Sequence, residues 1–156
     1  MSQIRFTTCI VTGYLYGGMN RSPNDVAVVE GLLKVVEVEY QSSGQLSSDV
    51  LHSLFLLHGQ SLFSAFDLID NKKVTKVMST SGRCVYQVLG SSGTPYVCLP
   101  HSNFCQCPAF KFAVVKRRES VVCKHVLAAH LSSAMGVTES KFVSNEYVMD
   151  VLAHMD

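Results

Sequence analysis

The chain has 156 residues, a length that suits one domain, or one domain with a small appendage. Apolar residues make up 47% of it and charged residues only 16%, which excludes a chain that is disordered throughout. Thirteen basic residues against twelve acidic ones leave a net charge of +1, so bulk charge does not point to a polyanionic partner. Apolar stretches stay shorter than the roughly 18 residues of a transmembrane helix, and we expect no membrane span.

Residues 22–70 have the apolar periodicity of helices. Ser22-Pro23 is typical of a helix start, because serine caps the helix and proline fits its first turn. Apolar residues at steps of three and four predict a helix over residues 25–40. A second apolar stretch over residues 47–70 is interrupted by Gly59, which predicts either a helical hairpin or one bent helix.

The pattern changes from helical to strand-like after residue 71. β-Branched and apolar runs at residues 74–77, 85–89 and 96–99 are separated by two turns that contain glycine. Three strands joined by two such turns predict an antiparallel meander.

Six cysteines could suggest a disulfide framework. Residues 1–20 carry a single charge, at Arg5, and lack a clear cleavage site, so we interpret them as an extension of uncertain order rather than a secretory signal. A chain of this size does not need disulfides to hold a core. We therefore expect reduced thiols in an intracellular protein, with Cys9 and Cys84 as ordinary thiols.

Four potential metal ligands form two tight pairs. Cys105 and Cys107 are followed, after a spacer of fifteen residues, by Cys123 and His125. Three cysteines and one histidine make a closed, tetrahedral structural zinc site. Residues two apart on a helix point about 200° away from each other, so Cys123 must lie at or before the first turn of the helix predicted to follow.

Two other interpretations of these cysteines are weaker. Free buried cysteines beside a surface histidine would not explain two tight pairs of ligand-type residues. A thiol redox pair is disfavoured because one residue, rather than two, separates Cys105 from Cys107. Cys98 and His101 are possible substitute ligands, although their contexts favour packing and solvent.

The ligand pattern, Cys-x-Cys followed by a spacer and then Cys-x-His, resembles the SWIM-type zinc finger, which is a ββα module. Further segments of the sequence resemble the small SWIM proteins of Shu recombination complexes. The likeness covers residues 51–131, and its most specific segments are Asp67-Leu68-Ile69-Asp70, Ser81-Gly82-Arg83, Val85-Tyr86-Gln87-Val88-Leu89-Gly90-Ser91-Ser92, Cys107-Pro108-Ala109-Phe110 and Cys123-Lys124-His125. Together with the residue patterns, it predicts an α+β fold: N-terminal helices, a three-stranded antiparallel meander, a SWIM ββα zinc module and a C-terminal helix. The expected parts are an extension over residues 1–20, a helical region over 22–70, a zinc module with β-meander over 72–135 and a C-terminal helix over 139–154.

The resemblance implies a non-catalytic accessory subunit with one structural zinc ion. Members of this family form a heterodimer with a RecA-like recombinase paralogue and help to load the strand-exchange recombinase on single-stranded DNA. This implies a nuclear protein of homologous recombination repair and meiosis. The sequence is consistent with a non-catalytic role, because it has no Gly-rich phosphate loop. In addition, a zinc ion with four protein ligands has no coordination position left for water. The alternative is a zinc-dependent module that acts directly on DNA or in transcription.

A basic run, Lys116-Arg117-Arg118, lies between the two ligand pairs. From residue 108 to 130, five basic residues accompany one acidic residue. The run can contact phosphates, with Phe110 and Phe112 as stacking residues. The interpretation that we favour is a solvated turn whose cations offset the charge of three thiolates on one zinc ion, and we expect both phenylalanines in the core.

Residues 51–69 are unusually apolar for a single amphipathic stripe. Four successive apolar positions, 54–57, must cover more than one helix face. Either this helix is internal to the fold, or another chain covers part of it. We expect a partner protein in a 1:1 complex, because mean hydropathy is +0.22 and few charged residues are available to solvate the surface.

Overall fold

The computed structural model describes residues 23–155, so the extension and the cap expected at Ser22 lie outside the described residues. The elements in chain order are α1 (Pro23–Ser43), α2 (Ser48–His58), α3 (Ser61–Asp70), β1 (Val74–Ser79), β2 (Cys84–Leu89), β3 (Pro95–Leu99), a 3-10 helix (Pro100–Ser102), β4 (Phe104–Cys105), a π-helix (Phe110–Lys116), α4 (Lys124–Met135), β5 (Glu139–Val143) and α5 (Asn145–Ala153). The mixed α+β class expected from the sequence is confirmed. Within this range, none of the helices has the combination of length and hydrophobicity that a bilayer crossing needs.

The apolar stretch interrupted by glycine forms two separate helices. α2 is capped by Ser47, whose hydroxyl accepts a hydrogen bond from the Val50 N–H at 3.4 Å. It ends at Gly59, where a φ of 53° suits glycine and breaks the helical path. α3 begins two residues later, so Gly59 is the point at which the chain changes direction.

One five-stranded sheet has the order β4-β3-β2-β1-β5. β1, β2, β3 and β4 pair antiparallel with their neighbours in the chain, whereas β5 pairs parallel with β1. Glycines with positive φ, Gly82 and Gly93, lie in the turns on either side of β2.

The C-terminal helix predicted over residues 139–154 is wrong in its first part. Residues 139–143 form β5, and α5 begins only after Ser144, whose hydroxyl accepts a hydrogen bond from the Tyr147 N–H at 3.2 Å. The strand state of this segment depends on its pairing with β1, more than sixty positions earlier in the chain. Local sequence patterns do not report such a distant pairing.

α1 and α3 pack on α4, which lies on one face of the sheet. The helical region and the segment with the cysteines share a single large core, so neither is packed independently of the other. A smaller apolar cluster lies on the opposite face, because side chains alternate along a strand. That second cluster is covered by α5 and comprises Val77, Val85, Val97 and Val148.

His130, in α4, is a partly buried titratable group beside this core. Its Nε2 lies 2.9 Å from Asn103 Oδ1. Desolvation by burial, with smaller contributions from His101 and His58, lowers the pKa of His130 to about 4. The folded state therefore binds the proton less well than the unfolded chain, so stability is fullest above a pH of about 6.5 and falls as the pH drops toward 4.

We expect the titration of His130 to reduce the free energy of unfolding by about 2 kcal/mol when the pH is lowered from about 7 to about 5. Chemical denaturation at saturating zinc would measure this change. The His130→Gln variant retains a side-chain N–H donor for Asn103 but does not titrate. Its free energy of unfolding should therefore depend less steeply on pH than that of the wild type. Identical pH profiles for the two proteins would contradict the role of His130.

Candidate metal centre

Four side chains singled out in the sequence meet where β4, the π-helix and α4 converge. A ligand atom from each of Cys105, Cys107, Cys123 and His125 lies within 4.8 Å of the other three. All four residues are buried. The two pairs, separated by fifteen residues in the chain, thus form one compact cluster.

Backbone N–H groups are directed at two of the sulfurs. The Cys107 N–H donates to Cys105 Sγ at 3.4 Å, and the Phe110 N–H donates to Cys107 Sγ at 3.3 Å. Both hydrogen bonds arise because the chain turns sharply after β4 into the π-helix. Donors aimed at sulfur stabilise the thiolate form, which is the form that binds metals.

Cys123 lies where it must lie if it and His125 are to bind the same metal ion. It is the N-cap residue of α4 and has extended backbone angles, with φ of −78° and ψ of 163°. Its side chain therefore leaves the chain before the first helical turn, while His125 lies within that turn. The expectation that Cys123 precedes the helix is confirmed, and the N-terminus of α4 favours a thiolate there.

The three thiols interact strongly enough to change one another's protonation. Hydrogen bonds from the Cys105 and Cys123 thiols lower the pKa of Cys107. The hydrogen bond to Cys107 raises the pKa of Cys105, and those to Cys105 and Cys107 raise that of Cys123. Each further thiolate in the cluster is disfavoured by the negative charge of those already present, and a cation beside the sulfurs would relieve this repulsion.

His125 also points to a cation. The residue is only 3% exposed, and its Nδ1 lies 3.9 Å from Cys105 Sγ. Its Nε2 has no hydrogen-bond partner among residues 23–155, and the ring of Tyr96 packs beside the imidazole with centroids 4.9 Å apart. A buried imidazole with so few partners, next to three sulfurs, fits a metal ligand. Three sulfurs and one nitrogen are the donor set of structural zinc, so these residues fit that ion.

His101, Cys84 and Cys9 are not part of the four-residue cluster among the described residues. His101 is exposed in the 3-10 helix and away from the four-residue cluster. Cys84, in β2, is disulfide-bonded, so the expectation of an ordinary reduced thiol is wrong at that position. Cysteine pairing depends on tertiary proximity, which spacing along the chain does not reveal. Cys9 lies outside the described residues.

Two further residues contact the cluster: Cys98, a possible substitute ligand in the sequence, lies beside the four ligands rather than among them, and Tyr96 was not predicted there. Cys98, in β3, has its Sγ 3.3 Å from Cys105 Sγ. The short separation of these two cysteines, with the turn signals between them, is compatible with facing positions on two antiparallel strands and could have indicated the contact. Tyr96, which packs on His125, carries no comparable signal in the sequence.

The basic run begins at the end of the π-helix and is exposed. Lys116 Nζ lies 4.8 Å from the centroid of the Phe112 ring, and Arg117 forms an exposed ion pair with Glu119 at 3.8 Å. Arg118 has a positive φ of 56°. Two of the three cations therefore have partners within their own loop, which favours the solvated-turn interpretation.

The two phenylalanines of the π-helix have different environments. Phe110 is 5% exposed and packs edge-on against Phe104, with centroids 5.4 Å apart, whereas Phe112 is 55% exposed. The expectation that both are core residues is confirmed for Phe110 and wrong for Phe112. Residues two apart on a helical segment face different sides, so only one of them can reach the core.

No protein-family model and no solved structure matches the chain significantly. Human (Homo sapiens) zinc finger SWIM domain-containing protein 7 is 43% identical to it over 126 residues, or 81% of this chain and 90% of that protein. The Danio rerio protein of the same name is 42% identical over 128 residues, or 82% and 91% of the two chains. A Dictyostelium discoideum homolog is 31% identical over 137 residues, or 86% and 87%. The chain, with its buried Cys3His cluster, therefore belongs to the zinc finger SWIM domain-containing protein 7 family.

Proposed function

We propose that this protein is a non-catalytic accessory subunit that pairs with a RecA-like recombinase paralogue. In this role it promotes assembly of the strand-exchange recombinase on single-stranded DNA, in homologous recombination repair and meiosis, and acts in the nucleus. The resemblance to the small SWIM proteins of Shu complexes supports the choice of pathway. The structural observation that carries the proposal is a set of exposed apolar side chains on the helical region.

This set, which we call the α2–α3 surface, consists of Leu51, Phe55, Leu56 and Phe63. Leu56 is 72% exposed and Phe63 is 58% exposed, while the rings of Phe55 and Phe63 pack with centroids 5.6 Å apart. Within the described part of the chain, α2 buries only Val50 and Leu54, so residues 23–155 do not enclose this helix. Exposed clusters of large apolar side chains are typical of protein–protein interfaces.

The metal centre supports a structural rather than a catalytic role. Its four donors are buried and would fill the four positions of a structural zinc ion, which would leave no position for a reactive water. We propose one zinc ion per chain, which would tie β4 and the π-helix to α4 in a ββα SWIM module. ATP hydrolysis would then belong to the recombinase paralogue.

Co-expression with RecA-like paralogues tests the proposal. We expect one paralogue to form a stable 1:1 complex, with an apolar contact well above roughly 1,000 Å², and the chain alone to be poorly soluble. The complex, added to the recombinase and single-stranded DNA, should increase the rate of filament assembly. A soluble, monodisperse chain that binds no hydrophobic dye and no such paralogue would contradict the proposal.

The second candidate function, direct DNA binding, is favoured only by the exposed cations of residues 116–118. Reversing all three charges should leave zinc content and thermal unfolding unchanged, because these side chains lie at the surface. If the loop binds DNA, a plot of log affinity for single-stranded DNA against log salt should become shallower by about one unit for each phosphate that is no longer neutralised. The accessory-subunit proposal predicts an unchanged slope for the triple variant. Lys141→Glu, an exposed lysine of β5, serves as the control.

A further inference from the structure

Cys98 is a buried thiol outside the four-ligand set but in contact with it. Its exposed fraction is 0%, and its Sγ–H donates to Cys105 Sγ at 3.3 Å. Cys105 Sγ thus accepts two hydrogen bonds, one from this thiol and one from the Cys107 N–H. Among the three sulfurs of the cluster, only Cys105 has a contact of this kind with a further cysteine in residues 23–155.

The register of the sheet places Cys98 against Cys105. The two residues face each other across β3 and β4. At the next pair, the Gln106 N–H donates to the Val97 carbonyl, and the Val97 N–H donates to Gln106 Oε1. Hydrogen-bonded and non-hydrogen-bonded pairs alternate in an antiparallel ladder, so Cys98 and Cys105 form a non-hydrogen-bonded pair, whose side chains approach most closely.

Cys98 lies beside the four-ligand cluster without belonging to it. The ligand atoms of Cys105, Cys107, Cys123 and His125 all lie within 4.8 Å of one another, and Cys98 is not a member of that group. Its contact is with Cys105 Sγ, at 3.3 Å. Because a structural zinc ion takes four donors and the cluster already supplies them, Cys98 is placed to donate to a ligand rather than to bind the same ion.

We propose that Cys98 is a positioning residue of the metal centre. Its thiol holds Cys105 in the orientation that faces the other three donors and offsets part of the negative charge that three thiolates place around one dication. The inference rests on the proposed zinc site. Outer-shell hydrogen bonds to metal ligands typically change metal affinity by about 10- to 100-fold.

Three substitutions in the full chain, co-expressed with its partner where solubility requires it, separate hydrogen bonding from packing. Cys98→Ser retains a donor of similar size, Cys98→Val fills the space without a donor, and Cys98→Ala does neither. We expect Cys98→Val and Cys98→Ala to release zinc to a chelator about 10- to 100-fold faster than the wild type, and Cys98→Ser to release it at nearly the wild-type rate. Should Cys98→Val be too bulky to fold, the comparison of Ala with Ser carries the test.

Cobalt substitution supplies a readout that packing alone would not move. The sulfur-to-cobalt charge-transfer band should shift to lower energy in Cys98→Ala, because a thiolate without its hydrogen bond gives up charge more easily, and should stay in place in Cys98→Ser. Equal release rates and equal bands in all variants would overturn the proposal. So would loss of a sulfur ligand from the spectrum of every variant, since Cys98 would then bind the metal itself. A wild-type chain that holds no zinc would instead refute the proposed metal centre.

Discussion

Replacing Cys123 with Ser, or His125 with Ala, should remove the metal and unfold the protein around α4. Structural zinc contributes on the order of 10 kcal/mol or more to the folding of small finger domains, which is comparable to the whole stability of an ordinary domain. The loss should spread beyond the site because α4 lies at the centre of the main core, with Leu127 and Leu131 almost fully buried. Metal analysis and near-ultraviolet circular dichroism would measure both effects, and a strong chelator should reproduce them in the wild type.

A matched control is available in the same part of the chain. His101 is exposed and outside the cluster, so His101→Ala should keep one zinc ion and the wild-type unfolding temperature. The ligand assignment itself is tested most directly at Cys105. If Cys105→Ser protein kept full zinc and full partner binding, Cys105 would not be a ligand.

Placing an aspartate on the α2–α3 surface should break the complex with the recombinase paralogue. We expect Leu56→Asp or Phe63→Asp to weaken partner binding by about 100-fold or more, because a charge would lose its hydration at the centre of an apolar contact. Zinc content and unfolding temperature should change little, since both side chains are largely exposed in the single chain. Co-purification and calorimetric titration with the partner would measure the affinity.

The control for this second prediction is Phe142→Asp. Phe142 is 75% exposed, like the target residues, but lies in β5 at the far edge of the sheet. The Phe142→Asp variant should therefore bind the partner with wild-type affinity. Wild-type affinity in Leu56→Asp and Phe63→Asp would place the interface elsewhere and remove the main support for the accessory-subunit proposal.

Much of the candidate site could be predicted from the sequence because its chemistry is local. Cysteine and histidine in two tight pairs specify a donor set by residue type alone. The requirement that Cys123 precede the helix follows from the rotation of about 100° per helical residue, and Cys123 is indeed the N-cap of α4. The break at Gly59 is local for the same reason, since it depends on the backbone angles of one residue.

The features that sequence patterns did not predict depend on contacts between distant segments. Residues 139–143 are a strand because β1 is available to pair with them, and Phe112 is exposed because the π-helix turns Phe110 toward the core instead.

By itself, then, the sequence determined the types of the metal donors, the position of Cys123 before α4 and the interruption of the helix at Gly59, because each follows from a few neighbouring residues. Only the tertiary structure decided that Cys98 touches Cys105, that β5 joins the sheet edge and that the rest of residues 23–155 leaves the α2–α3 surface uncovered. These outcomes are set by strand register and by the packing of helices from separate parts of the chain. A pattern within one segment carries no information about which other segment will pack against it.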